Sequence, residues 1–250
     1  MCNLYVYLPC YNEAGNIEAL TLDWLDQANQ LTEQGVRLNV VIIDDKSTDN
    51  TLAIARSLEK EHDPIRVIAH EVNKNLGGGL TTAVNDFLSV ADEQDMMCVM
   101  DGDNTQKPRF IFPMLDKIRG GAGCVIASRY QSGAEVDGVP LIRRLLSDGA
   151  KLYYTLVLQI PHVRDYTCGY RVYRCSALKS AKQKYGDSLI TMRTFSCMME
   201  LLYKLHRSGT TFAEVPFHLY YDDKAGESKM KVLKTIKDSL VTALHLRFHA

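Results

Sequence analysis

Short apolar runs alternate with stretches of helical periodicity along the first hundred residues. Apolar runs of strand length predict strands at Leu4–Leu8, Asn39–Ile43, Ile65–His70 and Met96–Met100. Apolar residues at helical spacing predict helices between them, at Asn16–Leu31, Thr51–Lys60 and Leu80–Val90. Strands that alternate with helices at short spacing indicate βαβ units and a parallel sheet. Ligands of such sheets bind beyond the carboxyl ends of the strands, where the polar clusters described below also lie.

The second half of the chain has a less regular pattern. It predicts helices at Phe110–Ile118, Leu141–Leu158 and Thr194–His206, strands at Cys124–Ser128 and Phe212–Tyr220, and a loop with a strand over Arg164–Arg174. No repeat, low-complexity segment or linker divides the chain, so we expect a single α/β domain over residues 1–228 with a doubly wound, mostly parallel sheet. Residues 229–250 are expected to form a basic amphipathic helix. That helix would face a membrane or a partner, or pack on its own domain.

Composition is that of an ordinary globular protein. The 250 residues are 46% apolar and 24% charged, and the formal net charge of −1 offers no general attraction to nucleic acid. The seven cysteines are scattered without a C-x-x-C pair, which favours reduced thiols in the cytoplasm over disulfides or a zinc site. No segment has the length and apolarity of a signal peptide or a bilayer-spanning helix. A lipid substrate would therefore be met at the membrane surface.

The strongest local signal is Asp101-Gly102-Asp103, which directly follows a predicted strand. Two carboxylates two positions apart suit Mg²⁺ or Mn²⁺ held between the protein and a diphosphate. Such an ion neutralises the charge that develops on a nucleoside diphosphate leaving group. The alternative interpretation is an acidic turn that only solvates itself.

Three other clusters follow predicted strands, and each has two interpretations. Asp44-Asp45 would accept hydrogen bonds from a base or ribose, or would cap the next helix. Pro9-Cys10-Tyr11-Asn12-Glu13 would hold a nucleobase, or would only begin a helix with Glu13 in its first turn. The glycines around Gly78 would bring backbone amides to a phosphate, or would form a flexible turn.

Basic residues that could bind phosphate accumulate in the second half. Arginine matches phosphate oxygens in a bidentate manner, whereas a single surface arginine is more often a solvated charge. The group consists of Arg129, Arg143, Arg144, Arg164, Arg171, Arg174, Lys229 and Lys231.

Taken together, the motifs resemble those of the inverting glycosyltransferase family 2, whose members have the GT-A fold. In chain order they are P-x-Y-N-E, D-D-x-S-x-D-x-T, N-x-G-G-G, D-G-D, S-R-Y, R-R-x-x-S, D-x-x-C-G-Y-R and G-E-S-K-M-K, and they extend from Leu4 to about Ile236. The R-R-x-x-S, D-x-x-x-G-Y-R and G-x-S-K elements are similar to those of the branch that includes dolichol-phosphate mannosyltransferases and other polyprenyl-phosphate glycosyltransferases.

The resemblance implies a role for each motif residue. The donor nucleotide would be bound by Pro9, Tyr11, Glu13, Asp44, Asp45, Gly78, Asp101, Gly102, Asp103 and Lys229. The acceptor phosphate would be bound by Ser128, Arg129, Arg143, Ser147 and Arg171. Asp101 and Asp103 would hold the metal and, with Arg129 and Asp165, form the catalytic group.

Two positions depart from the branch pattern. Relatives often have a metal-binding Gln two residues after the second Asp of D-x-D, but Thr105 occupies that position here and Gln106 follows it, so Gln106 is not assigned to the metal. The usual arginine before G-x-S-K is also missing from residues 220–224.

The resemblance implies a metal-dependent enzyme at the cytoplasmic face of the membrane, peripherally bound. It would transfer a sugar from a GDP- or UDP-linked donor to a polyprenyl phosphate such as dolichyl or undecaprenyl phosphate, with inversion. The acceptor phosphate is already ionised at pH 7 and needs no general base. If the acceptor were a hydroxyl of a sugar or small molecule, Asp165 would be the candidate base. The third hypothesis is a non-catalytic nucleotide-sugar-binding relative.

Overall fold

The structure is a computed structural model that describes residues 1–137, 141–220 and 232–249. The side chains of residues 137, 141–146, 232–237 and 249 lie outside that description. The fold is built on a seven-stranded sheet in the order β3-β2-β1-β4-β7-β5-β8, with helices on both sides. The strands are β1 (Cys2–Cys10), β2 (Val36–Asp44), β3 (Ile65–Ala69), β4 (Met96–Val99), β5 (Cys124–Ser128), β6 (Glu135–Asp137), β7 (Arg171–Arg174), β8 (Phe212–Pro216) and β9 (His218–Tyr220).

The helices connect and cover these strands. They are α1 (Ile17–Asp26), α2 (Ala28–Glu33), α3 (Thr51–Glu61), α4 (Asn75–Val90), α5 (Ile111–Arg119), α6 (Leu141–Leu158), α7 (Cys175–Tyr185), α8 (Ser196–Arg207) and α9 (Val232–His249). Short 3₁₀ turns lie at Pro108–Phe110 and Gly186–Leu189.

The sheet is mostly parallel, as the sequence pattern predicts. β1 pairs in parallel with β2 and β4, β2 pairs with β3, and β5 pairs with β8. β7 is inserted antiparallel between β4 and β5. In β2 the run from Val40 to Ile43 is at most 1% exposed, which is typical of a parallel strand covered by helices on both faces.

Several elements differ from the sequence prediction. The single helix predicted over Asn16–Leu31 is divided at Gln27 into α1 and α2, and the strand predicted over Phe212–Tyr220 is divided at Phe217 into β8 and β9. Helix α4 begins at Asn75 rather than Leu80, so it includes the glycine cluster. Helix α7 and strand β6 were not predicted, and β6 pairs in parallel with β9 in a separate two-stranded sheet.

Helices α6 and α9 lie along each other and cover one side of the second half. The Tyr154 hydroxyl is 2.6 Å from the Ser239 hydroxyl, and the Tyr153 hydroxyl donates to the Leu240 carbonyl at 3.0 Å. Ala243 and Leu246 are buried on the inner face of α9. The predicted boundary between residues 228 and 229 lies outside the described residues. No helix in the described part of the chain has the length and apolarity to cross a bilayer.

Candidate active site

The ends of β1, β2 and β4 bring three of the predicted motifs to one edge of the sheet. Cys10 is the register partner of Asp44, and the Asp45 amide donates to the Cys10 carbonyl at 2.9 Å. A Cβ added to Gly102 would lie 3.3 Å from the Pro9 carbonyl oxygen. The acidic turn after β4 therefore packs directly against the end of β1, as the parallel-sheet argument predicts.

The loop after β1 is bound to the loop after β2 by reciprocal hydrogen bonds. Asn12 has a φ of 55°, and its amide donates to the Ser47 hydroxyl at 2.9 Å while its side-chain oxygen accepts from the Thr48 amide at 2.7 Å. The Glu13 amide donates to the Thr51 hydroxyl at 2.8 Å. These bonds fix the backbone that follows Tyr11, and Tyr11 itself is 40% exposed, which is the arrangement that a base-stacking residue requires.

Asp44 and Asp45 have different environments. One oxygen of the Asp45 carboxylate is used inside the protein: Oδ1 is 2.7 Å from His70 Nδ1 and accepts from the Lys74 amide at 2.8 Å. Asp44 is 1% exposed, and its Oδ2 accepts from the Ser47 amide at 3.2 Å. Its buried Oδ1 has no hydrogen-bond partner among the described residues. The structure therefore favours Asp44 as the carboxylate that has an oxygen to offer a ligand.

Asp101 occupies a space that exists because residue 169 is glycine. A Cβ on Gly169 would lie 2.6 Å from Asp101 Oδ1 and 2.8 Å from Oδ2. On its other side, Gln106 Nε2 donates to Asp101 Oδ2 at 3.2 Å. The D-x-x-C-G-Y-R motif and the acidic turn thus form one structure around the Asp101 carboxylate.

Asp103 is oriented by the residue that occupies the usual Gln position. The Thr105 hydroxyl donates to Asp103 Oδ1 at 2.8 Å, and the Thr105 amide is 3.3 Å from the same oxygen. The Thr105 carbonyl in turn accepts from the Tyr220 amide at 2.9 Å. Sequence analysis missed the roles of Thr105 and Gln106, although a hydroxyl two residues after an aspartate is a recognisable turn pattern.

The residues around Asp101 and Asp103 fit a divalent cation. Both carboxylates are half-buried, and beside them the Gln106 Oε1 is a buried acceptor that has no partner among the described residues. Oxygen is the ligand atom that Mg²⁺ and Mn²⁺ prefer. No group of three His, Cys, Asp or Glu side chains that could hold a metal occurs in the described ranges, so a cation here would take its other ligands from a diphosphate and water.

Arg129 and Asp165 form a buried ion pair at the end of β5. Arg129 Nε donates to Asp165 Oδ2 at 2.8 Å and Nη2 donates to Oδ1 at 2.7 Å, in a bidentate arrangement. Burial by itself would raise the pKa of Asp165, but the Arg129 charge and its hydrogen bonds outweigh burial and lower this pKa below its usual value. The Asp165 carboxylate is fully buried and ionised, so the geometry opposes its predicted use as a base for a hydroxyl acceptor.

One nitrogen of the Arg129 guanidinium, Nη1, is available to donate a hydrogen bond to a ligand. Nη2 also donates to the Thr167 hydroxyl at 2.7 Å, but among the described residues none accepts a hydrogen bond from Nη1. The side chain is 23% exposed. Glu214 holds the loop that carries Asp165, because its Oε1 accepts a hydrogen bond from the Asp165 amide at 2.7 Å. Sequence analysis did not identify Glu214, because it lies far along the chain on β8.

Ser128, Tyr130 and Ser147 connect β5 to α6. The buried Ser128 hydroxyl accepts from the Tyr130 amide at 3.2 Å, so it is used within the turn. The Tyr130 hydroxyl donates to the Ser147 carbonyl at 3.1 Å and is also hydrogen-bonded to the Ser147 hydroxyl. The predicted acceptor residues Arg129 and Ser147 therefore both lie next to Tyr130, which the sequence analysis had noted only as part of S-R-Y.

Two predicted binding residues are placed differently from the expectation. Arg171 is fully buried, and its guanidinium donates to the carbonyls of Met198 at 2.5 Å and Tyr166 at 2.8 Å, so it is not presented to an acceptor phosphate. The Gly78 amide lies 3.3 Å from the Lys74 carbonyl, and the Gly77 amide donates to the Arg193 carbonyl at 3.0 Å, so these amides are directed to the protein rather than to a phosphate.

The glycine at position 77 has a packing function. A Cβ there would come within 1.9 Å of the Met192 carbonyl oxygen.

Two further predicted residues cannot be placed: the Arg143 side chain and Lys229 lie outside the described residues. Cys168 is buried, and burial raises its pKa to about 12, which agrees with its exclusion as a nucleophile.

In comparisons with known proteins, the matching family model and the similar curated proteins agree with one another. The sequence model described as Glycosyl transferase family 2 matches residues 5–181. The chain is 31% identical to the dolichol-phosphate mannosyltransferase of Pyrococcus furiosus, over 90% of this chain and 58% of that protein, so it spans little more than half of that relative's length. It is 28% identical to the polyprenol monophosphomannose synthase of Mycolicibacterium smegmatis, over 90% of this chain and 80% of that protein. It is 27% identical to the undecaprenyl-phosphate mannosyltransferase of Micrococcus luteus, over 89% of this chain and 85% of that protein.

A solved structure with the same fold contains a metal. The glucosyl-3-phosphoglycerate synthase of Mycobacterium tuberculosis, in complex with Mn²⁺, UDP and glucosyl-3-phosphoglycerate, superimposes with a TM-score of 0.66 at 17% identity. The alignment covers 98% of this chain and 80% of that one. The likeness confirms the GT-A fold.

Proposed function

The chain belongs to glycosyltransferase family 2, and from this membership we propose that it transfers a sugar from a GDP- or UDP-linked donor to a polyprenyl phosphate with inversion. The observation that carries the proposal is that three relatives named for sugar transfer to polyprenyl or dolichol phosphates each align over at least 89% of the chain. Their names also make mannose the first sugar to test.

The donor half of the site is the edge formed by the ends of β1, β2 and β4. Tyr11 would stack on the base, and Asp44 Oδ1 would accept a hydrogen bond from the base or ribose. Asp101 and Asp103 would hold Mg²⁺ or Mn²⁺, and that ion would stabilise the negative charge on the departing diphosphate. Gln106, Thr105 and Gly169 support the proposal because they hold the two carboxylates in place side by side at this edge.

The acceptor half is the end of β5 and the start of α6. Arg129 would donate from Nη1 to the acceptor phosphate, while Asp165 fixes its guanidinium plane. An ionised phosphate oxygen is itself a nucleophile, so the protein has only to position it behind the anomeric carbon. The buried, ion-paired state of Asp165 supports a phosphate acceptor over a hydroxyl acceptor, because the latter requires a base.

Access to a lipid suggests a position at the membrane. Leu152 and Leu156 on α6 and Val241, Leu244 and Phe248 on α9 are all at least 45% exposed. We call these five side chains the outer apolar ridge. Because α6 also carries Ser147, an acceptor phosphate beside Ser147 would have its hydrocarbon chain close to this ridge. We therefore propose a peripheral association with the cytoplasmic surface of a membrane.

The function is tested with radiolabelled nucleotide sugars and farnesyl phosphate as a short polyprenyl phosphate. We expect the label to move into an organic-soluble product when Mn²⁺ or Mg²⁺ is present and not when EDTA replaces it. Transfer to hydroxyl acceptors alone would reject the lipid proposal. Binding of donor without transfer or hydrolysis would identify a non-catalytic relative.

The double substitution Asp101→Asn with Asp103→Asn should abolish the metal-dependent rate. Asp116→Asn, on the exposed side of α5, is the control.

A further inference from the structure

Lys151 lies one helical turn after Ser147 and faces the same tyrosine. Its amine is 4.5 Å from the centroid of the Tyr130 ring, and the side chain is half-buried. Positions 147 and 151 are neighbours on one side of α6. The same ring has the Arg129 guanidinium carbon 5.7 Å from its centroid. Two cationic side chains therefore lie near the Tyr130 ring, one that directly follows β5 and one from α6.

The charges of these two cations are balanced differently. Arg129 is neutralised by the bidentate contact with Asp165. Within the described ranges, no carboxylate is ion-paired with Lys151, and its contact with the Tyr130 ring is a cation–π interaction of about 0.5–1 kcal/mol at an exposed site. Asp148, three residues earlier on α6, is exposed and does not reach the Lys151 amine. Among the described residues, no carboxylate thus balances the Lys151 charge beside the proposed acceptor site.

A phosphate monoester requires such a charge. At pH 7 it carries about −1.5 to −2, whereas the Arg129–Asp165 pair has no net charge and supplies only directed hydrogen bonds. A lysine amine can approach a phosphate as a compact point charge with rotatable donors. The hydroxyl cluster of Tyr130 and Ser147 keeps α6 against β5, which holds Lys151 near Arg129.

We propose that Lys151 binds the phosphate of the acceptor and makes the site selective for a phosphate monoester over an alcohol. The inference rests on the proposed function, since it assigns a further residue to the same acceptor site. In this arrangement Arg129 supplies hydrogen-bond geometry and Lys151 supplies net charge.

The first experiment measures equilibrium binding of farnesyl phosphate and of farnesol, with wild type and Lys151→Met. We expect Lys151→Met to weaken binding of farnesyl phosphate about tenfold or more, which corresponds to the loss of one charge-assisted contact, and to leave farnesol binding unchanged. Lys151→Arg should recover most of the affinity because it restores the charge. Equal affinity of wild type and Lys151→Met for farnesyl phosphate would overturn the inference, as would an equal loss for farnesol.

The second experiment separates substrate binding from a structural contact with Tyr130. Lys151→Met should raise the KM for farnesyl phosphate and leave the KM for the donor and the thermal unfolding temperature unchanged. Lys184→Met is the matched control, because Lys184 also lies over a tyrosine ring, at 5.3 Å from the centroid of Tyr185, but on α7. A parallel loss of donor binding and stability in Lys151→Met would mean that Lys151 only supports the fold.

The two experiments also distinguish failure of the inference from failure of the proposed function. Wild type that binds farnesyl phosphate but transfers no sugar to it rejects the proposed function, and the role of Lys151 is then decided by the binding comparison alone. Wild type that does not bind farnesyl phosphate overturns both. Wild type that binds and transfers, with Lys151→Met doing so equally well, overturns only the inference.

Discussion

Gly169 is required by the carboxylate beside it. The added methyl group of Gly169→Ala would lie only 2.6 Å from Asp101 Oδ1, closer than contact allows, so the carboxylate must turn away. We expect sugar transfer to fall about 100-fold, since misplacing a catalytic group by about 1 Å has effects of this size. Initial rates at saturating Mn²⁺ and the thermal unfolding temperature measure the effect.

Gly149 provides the control for Gly169. It lies within α6, and a Cβ added there would meet nothing within 4 Å. Gly149→Ala should stabilise the protein by about 0.5–1 kcal/mol through helix propensity and leave transfer unchanged. Full activity in Gly169→Ala would show that Asp101 does not need its present orientation.

Asp165 should contribute to stability in a pH-dependent way. Asp165→Asn leaves the Arg129 guanidinium, whose side chain is 23% exposed, without its partner, and breaking a pair that is mostly buried costs up to about 3–5 kcal/mol at pH 7. Because the pKa of Asp165 is lower in the folded protein than its unfolded value of about 3.9, its stabilisation is complete above that pH and is lost as the pH falls through the folded pKa. Urea unfolding at pH 7 and at successively lower pH should therefore show a shrinking difference between wild type and variant.

Asp187 is the matched control for the buried pair. It is ion-paired with Lys182, but its side chain is fully exposed, so Asp187→Asn should not change stability measurably. An Asp165→Asn protein as stable as wild type at pH 7 would contradict the assigned ion pair.

The sequence allowed the position of the site residues at the ends of strands to be predicted, but not their side-chain partners or their burial. Asp101 and Asp103 follow an apolar strand, so their position at the sheet edge could be inferred. The choice of Asp44 over Asp45 could not, because it depends on His70, a residue that the chain brings back only through β3. The burial of Arg171 was also unpredictable, since an arginine in an R-V-Y-R strand has the same pattern whether it points to solvent or to internal carbonyls.

At the scale of elements, the sequence pattern predicts those strands and helices that are determined by interactions between residues close together in the chain. The continuous apolar runs of β1 and β2 were identified because both faces of these strands are covered. Strand β6 was missed, and β9 was not separated from β8, because β6 and β9 pair with each other across more than eighty residues. The antiparallel insertion of β7 has the same origin, since its neighbours β4 and β5 precede it in sequence.

The outer apolar ridge on α6 and α9 is expected to bind lipid. Leu156 and Phe248 are 65% and 74% exposed, so Leu156→Gln with Phe248→Gln should not destabilise the fold. We expect the double substitution to lower partitioning onto phosphatidylcholine–phosphatidylglycerol vesicles about tenfold, because each apolar side chain that enters the interface contributes of the order of 1 kcal/mol. Vesicle sedimentation measures the partition constant.

The control for the ridge uses equally exposed apolar residues elsewhere. Val72, which precedes α4, is 63% exposed, and Val90, the last residue of α4, is 50% exposed. Val72→Gln with Val90→Gln should leave vesicle binding unchanged. A similar loss for both double variants would indicate a general effect of apolar exposure rather than a defined membrane-facing side.

For the whole molecule, the position of the site at the edge of the sheet means that ligand binding should raise the free energy of unfolding of the entire domain. Asp44, Asp101 and the loop after β1 come from different strands, so a donor that contacts all three connects elements that must separate on unfolding. A ligand at a hundred times its dissociation constant stabilises a protein by about 2.7 kcal/mol. For a domain of this size that corresponds to an increase in unfolding temperature of roughly 5–10 °C.

We expect this increase with GDP or UDP together with Mn²⁺, and a smaller one with either component alone, because the cation is proposed to bridge the carboxylates and the diphosphate. Addition of EDTA should reduce the shift to that of the nucleotide alone. Asp101→Asn with Asp103→Asn should make the shift insensitive to Mn²⁺, because amides are poor substitutes for the two carboxylate ligands. The same shift in wild type and in this double variant would place the metal elsewhere, and the donor half of the site would have to be assigned again. Differential scanning fluorimetry at several nucleotide concentrations measures the shift and, from its concentration dependence, the affinity that each variant retains.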